Sequence, residues 1–198
     1  MRKSLVLWMI LVQSLMGAQM GNEYTLGWED PTEMALGERK GFIEMFIRSF
    51  HQAYRACGSF ADKSDEEVDA YLANYCTTFV EPHFAKSSSL FVVLRRDGEI
   101  IGGAFFEKSA KDEIYVAELV IDSQHWHKGL GRYLMEALLQ KEPGTKKIWL
   151  ITEWANKGAQ GFYEALGFVT SPHMHEGYSP DLYCGYERII SSSPTPLL

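Results

Sequence analysis

Along this chain the apolar positions change period from two to 3.6 and back, which divides it into short strands and amphipathic helices. Tyr24 to Glu29 reads as a strand ended by Asp30-Pro31. From Leu36 to Tyr54 the spacing is helical, with Phe42, Met45, Phe46, Ser49 and Phe50 on one face. Ala56 to Ser64 reads as a loop. Asp65 is the expected cap of a second helix, with Glu66 and Glu67 in its first turn, where acids complement the helix dipole. That helix runs through Val68, Tyr71, Leu72 and Tyr75 and should end or kink near Pro82.

The middle of the chain reads as a meander. Leu90 to Arg95 is a strand, Asp97-Gly98 a two-residue hairpin turn, and Glu99 to Lys108 the return strand. Gly102-Gly103 inside it predict a bulge or a close backbone approach. Ser109 to Asp112 turns into a strand at Ile114 to Ile121. A polar loop, Asp122 to Lys128, closes on Gly129-Leu130-Gly131, and a helix follows with Leu130, Leu134, Ala137 and Leu138 on one face. Ile148 to Thr152 is a strand and Asn156 lies in the loop after it. The next helix carries Phe162, Ala165 and Leu166, with Gly167 where a C-cap glycine belongs. Ser171 to Asp181 is a polar loop and Leu182 to Ile190 the last strand. The order is β-αα-β-β-β-α-β-α-β-β, with no repeats and no interdomain linker.

Composition narrows the classes. A chain of 198 residues fits one domain with a real core. A net charge of −7 and a pI near 5.4 argue against nucleic-acid binding, which leaves a basic footprint. Cys57, Cys76 and Cys184 have no metal-ligand or CxxC spacing and read as buried thiols. The N-terminus resembles a signal peptide: Met1-Arg2-Lys3-Ser4 is basic, Leu5 to Leu15 is apolar, and Gly17-Ala18 are small. Met16 occupies a position where a small residue is preferred, and the run is too short for a stable membrane span. Residues 1–20 are therefore set apart as a targeting segment, 21–190 as the domain, and the tail SSSPTPLL at 191–198 as disordered. The protein is secreted or exported if the segment is a signal, and cytoplasmic if translation starts at Met20. An uncleaved anchor is the third alternative.

Candidate chemistry concentrates around Gly129. A strand, a glycine turn and a helix start form an anion site, because the first helical N–H groups lack acceptors and the dipole favours negative charge. Gly129 and Gly131 would admit a phosphate close to the backbone, flanked by Lys128 and Arg132. A nucleotide site of the ATP type would need a lysine after the last glycine, which is missing. Two segments, VIDSQHWHKGLGRYLMEAL and NKGAQGFYEALGF, resemble the pyrophosphate loop and the Asn-x-x-Ala-x-x-Phe-Tyr-x-x-x-Gly-Phe segment of the GNAT superfamily of N-acyltransferases. Asn156, Ala159, Phe162, Tyr163, Leu166, Gly167 and Phe168 stand in register with the second. Trp126 and His127 depart from the first, where Gln or Arg and then a small residue are usual.

The resemblance implies an α/β (α+β) fold, a mixed, centrally splayed sheet with helices on both faces. It implies acetyl-CoA as cosubstrate and a primary amine, on a small molecule or a protein, as acceptor. Backbone groups of Leu119, Val120 and Ile121 would bond the acyl carbonyl and pantetheine arm. N–H groups of His127, Lys128, Gly129, Leu130, Gly131 and Arg132 would hold the pyrophosphate. Asn156 would contact the arm, and Tyr163 would lie near the thiol as general acid. Read alone, Asn156 is better explained as a helix N-cap and Tyr163 as a core ring; the shared register reverses that preference. Glu118 is a carboxylate in an apolar strand. It either lines a cleft as general base or faces solvent, with Glu153 as the fallback base. His125/His127 and His173/His175 are HxH pairs without an apparent third ligand, so no metal is expected. His173, His175, Glu176 and Tyr178 are expected on the rim of an acceptor pocket, and Trp126 and Trp154 in packing roles. A homodimer is one expected assembly. The second function class is a non-catalytic GNAT-like module, binding CoA or a protein as an exported effector.

Overall fold

The structure, a computed structural model, describes residues 23–175 and 177–190. The segments set apart at 1–20 and 191–198 lie outside the described residues, as does Glu176. The elements are β1 (Tyr24–Glu29), α1 (Leu36–Cys57), α2 (Asp65–Tyr75), β2 (Leu90–Arg96), β3 (Glu99–Ala110), β4 (Glu113–Ile121), α3 (Leu130–Lys141), β5 (Lys147–Glu153), α4 (Lys157–Ala165), β6 (Val169–Ser171) and β7 (Tyr183–Ile189). The seven strands make one sheet in the order β1-β2-β3-β4-β5-β7-β6. Every pairing is antiparallel except β4 with β5. This is the expected α/β architecture.

Alternate strand residues feed two cores. Phe91, Val93, Phe105 and Val120 pack under Phe42, Met45 and Phe46 of α1. Val92, Leu94, Ala104 and Phe106 pack against Leu130, Leu134 and Leu138 of α3 and Leu166 after α4. Helices thus cover both faces. Leu36 is 82% exposed and Phe42 fully buried, as the helical period of α1 requires.

The element ends show where local chemistry was decisive. Helix α1 continues past Tyr54 to Cys57 and stops at Gly58, whose φ of 77° is left-handed. Ser64, not Asp65, caps α2. Its hydroxyl accepts the Glu67 N–H at 3.2 Å, and the Glu67 carboxylate accepts the Ser64 N–H at 2.8 Å. The break expected near Pro82 comes earlier, in one wide π turn at Cys76–Val80, followed by a 3-10 turn at Glu81–Ala85. Val169–Ser171, on the far edge, is β6, the strand that the expected order places after the last helix without residue bounds. Cys76 and Cys184 are buried, Cys57 is partly so, and all three are free thiols. No helix among the described residues is long and apolar enough to cross a membrane.

Gly103 does what paired glycines in a strand suggested. A Cβ there would stand 2.8 Å from the Phe42 ring and 2.9 Å from the Val92 carbonyl oxygen. Gly103→Ala should therefore destabilise the fold by about 1–3 kcal/mol, the usual cost of overpacking. Urea denaturation checks this; an unchanged midpoint would show that α1 can move off the sheet freely.

Candidate active site

Strands β4 and β5 pair from Glu113–Lys147 to Val116–Leu150 and then separate, although both continue. The cause lies in β4. Phe105 of β3 faces Glu118 and Phe106 faces Val116, so Ala117 is an extra, bulged residue. A bulge bends its strand and raises the local twist, which carries the end of β4 away from β5. It also resets the side-chain alternation. Ile114 and Val116 point into the α3/α4 core, but after the bulge Val120 points into the α1 core and Ile121 into the other. Glu118 shares the parity of Val120, so the bulge turns it toward α1 and α2.

The gap opens into a cavity of about 620 Å³. Its lining runs from the start of α3, past Leu119 and Ile121, to Glu118, Glu153 and a set of tyrosines. The Asp122 N–H bonds the Ile101 carbonyl on β3 at 2.8 Å. By the alternation of an antiparallel pair, the peptide groups of Val120 then face β3, while those of Leu119 and Ile121 face the gap. The Trp126 indole donates to the Ile121 carbonyl at 2.8 Å. Of the three residues expected to offer backbone groups, Val120 is thus turned away and the Ile121 carbonyl is already bonded. The Leu119 peptide is the one left facing the cavity on both counts. Asp122 anchors the loop that follows, accepting from Arg48 of α1 and from the Gln124 N–H.

The start of α3 is built as an anion site. Gly129 adopts φ 78° at the N-cap and provides no side chain for the first helical N–H groups. His127, at φ 60°, also turns left-handed. His127, Gly129, Leu130, Gly131 and Arg132 line the cavity, whereas Lys128 does not; its ammonium lies 3.4 Å from His125 Nδ1. Gly131 has a second reason to be glycine. A Cβ there would stand 2.9 Å from the Phe162 ring, so this glycine lets α4 pack on α3. Asn156 is the N-cap of α4, its Oδ1 accepting the Ala159 N–H at 3.0 Å, and it lines the cavity as well.

Glu118 is 7% exposed, and its Oε1 accepts the Tyr75 hydroxyl at 2.8 Å. Burial pushes its pKa up to about 8, and the Tyr75 hydrogen bond pulls the other way. The Glu153 carboxyl is also raised by burial, against the hydrogen bond it accepts from Tyr54 at 3.0 Å. Tyr163 lines the cavity from the opposite core; burial, then the Glu118 charge, hold its phenol protonated well above the ordinary range. Of the expected rim, Tyr178 lines the cavity. His173 instead packs on Trp149 with ring centres 4.2 Å apart, and His175 on Tyr115 at 5.6 Å. Trp154 is 44% exposed, its indole donating to the Pro180 carbonyl. Sequence reasoning missed Tyr54, Tyr75, Tyr115 and Tyr183, which arrive from four different elements. The only signal for them was the tyrosine content of the chain, ten in all.

A family model described as the acetyltransferase (GNAT) family matches residues 41–168. Solved structures with the same fold include the paia N-acetyltransferase of Thermoplasma acidophilum in complex with coenzyme A. It is 16% identical, with a TM-score of 0.64 over 84% of this chain and 99% of that one. The ribosomal-protein-S18-alanine N-acetyltransferase of Escherichia coli is 19% identical, with a TM-score of 0.57 over 87% and 97%. An acetyltransferase from Thermus thermophilus is 19% identical, with a TM-score of 0.56 over 85% and 97%.

The raised Glu118 pKa has a consequence for stability. The folded state keeps a proton that the unfolded chain loses near 4.5. This contribution is full below about pH 4.5 and is lost as pH rises to about 8, because folding then holds a proton the unfolded state has released. The melting temperature of the wild type should fall relative to Glu118→Gln across that window and run parallel above it. Parallel curves throughout would show that the carboxyl titrates normally.

Proposed function

The chain belongs to the GNAT acetyltransferase family, and we propose that it transfers an acetyl group from acetyl-CoA to a primary amine by direct attack in a ternary complex. The observation that carries this reading is the separation of β4 from β5 beyond Val116. It opens one cavity that reaches from the uncapped start of α3 to a buried carboxylate. That cavity fits the chemistry of the cosubstrate. First-turn N–H groups of α3 and the Arg132 side chain suit a pyrophosphate, and the gap between strands suits a narrow, amide-bearing arm. The coenzyme A complex of a protein with the same fold supports the choice of cosubstrate.

Each step then has a residue. Glu118, ionised, takes a proton from the substrate ammonium and frees the nitrogen lone pair for attack on the thioester carbonyl. The Leu119 N–H meets the negative charge that develops on the carbonyl oxygen. As the C–N bond forms and the C–S bond breaks, the now cationic nitrogen gives its second proton to Glu118, which has passed the first to solvent, while Tyr163 gives its phenolic proton to the departing sulfur and regains one from solvent. A pKa raised by burial suits both groups. Glu118 becomes a stronger base than an ordinary carboxylate, and Tyr163 stays protonated until the thiolate appears.

Calorimetry of the full chain with acetyl-CoA tests the binding half. Gly129→Asn keeps a residue type that tolerates the left-handed conformation, and Gly129→Asp adds only a charge to the same shape. Affinity should drop about tenfold or more from the Asn to the Asp variant, since the carboxylate opposes both phosphate and helix dipole. Equal affinities would remove the phosphate from this loop. The rate constant for acetyl transfer should rise with pH along a limb near pH 8 set by Glu118. It should fall by about a hundred- to ten-thousand-fold in Glu118→Gln, losing that limb. Tyr163→Phe should slow single-turnover transfer about tenfold or more with acetyl-CoA affinity kept; a wild-type rate would leave Tyr163 a packing residue.

A further inference from the structure

The far end of the cavity is furnished for more than one charge. Tyr75 donates to Glu118, and Tyr115 and Tyr178 line the same end of the cavity. Tyr54 donates to Glu153, the Tyr71 ring lies behind it with centres 6.4 Å apart, and Tyr183 lines the same end of the cavity. The two groups join where the Tyr178 and Tyr183 rings meet edge to face at 4.9 Å. Burial holds these phenols protonated, so they solvate the two carboxylates without neutralising them. The lysine and arginine of the cavity wall, Lys157 and Arg132, sit at the starts of α4 and α3. The Lys157 ammonium is held by Gln160 at 3.0 Å and lies over the Trp154 ring. A buried carboxylate and a partly buried one, with no cation paired to either among the described residues, are costly unless a ligand brings the charge. Tyrosine ring faces also attract a cation.

Position sets the ligand's shape. Glu118 and Glu153 lie two and three residues past the last β4–β5 pair, and both point toward the α1/α2 face, at Tyr75 and Tyr54. Strands lie about 4.8 Å apart and rise about 3.3 Å per residue, so with the splay the carboxylates stand roughly 6–10 Å apart. We propose that the acceptor is a short linear amine carrying a second positive charge, its reacting nitrogen at Glu118 and its distal ammonium at Glu153. This rests on the acetyl-transfer reading for which nitrogen reacts, but the dication subsite can be tested apart from it.

Three probes of one length separate the terms: α,ω-diaminobutane, butylamine and γ-aminobutyrate, whose far ends are cationic, apolar and anionic. Each is titrated calorimetrically into the full chain saturated with CoA at pH 8. The diamine should bind about tenfold or more tighter than butylamine, and γ-aminobutyrate should bind most weakly. Glu153→Gln should bring the diamine to the butylamine level, with its melting temperature confirming the fold. Equal binding of diamine and butylamine, a preference that survives in Glu153→Gln, or no binding of any amine would each overturn the subsite. Thiol release with acetyl-CoA then separates the two ideas. A diamine bound with the stated preference but never acetylated sinks the transferase reading and leaves the subsite. Butylamine acetylated with the same kcat/KM as the diamine sinks the subsite and leaves the transferase.

Discussion

One extra residue in one strand sets the working geometry of this molecule. With Ala117 bulged, β4 cannot follow β5 beyond Val116, and the sheet loses backbone hydrogen bonds in its interior. Buried peptide groups without partners are costly. The structure meets that cost unevenly. The Trp126 indole takes the Ile121 carbonyl, Asp122 ties back to β3 and to Arg48, and the Leu119 peptide is left facing a cavity. A ligand with its own amide groups could complete such a gap as a strand would, which is why the proposed cosubstrate is placed there. Trp126 stands where the family usually has Gln or Arg, and its indole bond shows the departure serving to hold the loop against the strand.

The same bulge sorts charge. Before it, β4 shows apolar residues to α3 and α4; after it, the parity reverses and Glu118 meets Tyr75 instead of the α3 side. Cation-friendly and anion-friendly ends of the cavity thus belong to different elements. Helix starts and Arg132 define the anion end, and two strand-end carboxylates among tyrosines define the other. An overall charge of −7 is compatible with drawing a cationic acceptor, but the local pairing carries the argument, since surface charge is screened over about 8–10 Å.

Much of this was legible in the residues. Asp97-Gly98, the helical period after Gly129 and the Asn156 to Phe168 register each specify a local geometry with little tertiary help, and the element order follows from them. Glu118 drew notice because a carboxylate in an apolar strand needs an explanation. What could not be read was which face it joined, because a bulge at an alanine leaves no compositional mark. Gly131 was only half legible. A glycine near a phosphate loop invites one explanation, and the Phe162 ring supplies another. The tyrosines were invisible as a group. They come from α1, α2, β4, β7 and the loop before β7, and only the closed sheet brings them together. Ser64 was overlooked as a cap because Asp65 beside it is an equally good capping type; the reciprocal Glu67 bond decides between them.

The meeting of Glu118 and Tyr163, the base and acid of the proposed reaction, follows from the gap. In an unbroken sheet, a side chain in the α1 core and one in the α3/α4 core are separated by a wall of hydrogen-bonded backbone. Glu118 belongs to the first side through Tyr75, and Tyr163 to the second through Phe168, with ring centres 5.6 Å apart. Yet both line one cavity, and the charge of Glu118 is felt at the Tyr163 hydroxyl. Only where β4 and β5 part can groups from opposite faces reach a common point. An acceptor amine approaching from the tyrosine side and a thioester lying in the gap would meet there, with the proton leaving toward one face and arriving from the other. Closing the gap by restoring the β4–β5 ladder would strengthen the sheet and separate the two residues, so the weakness in the sheet and the pairing of Glu118 with Tyr163 are one feature.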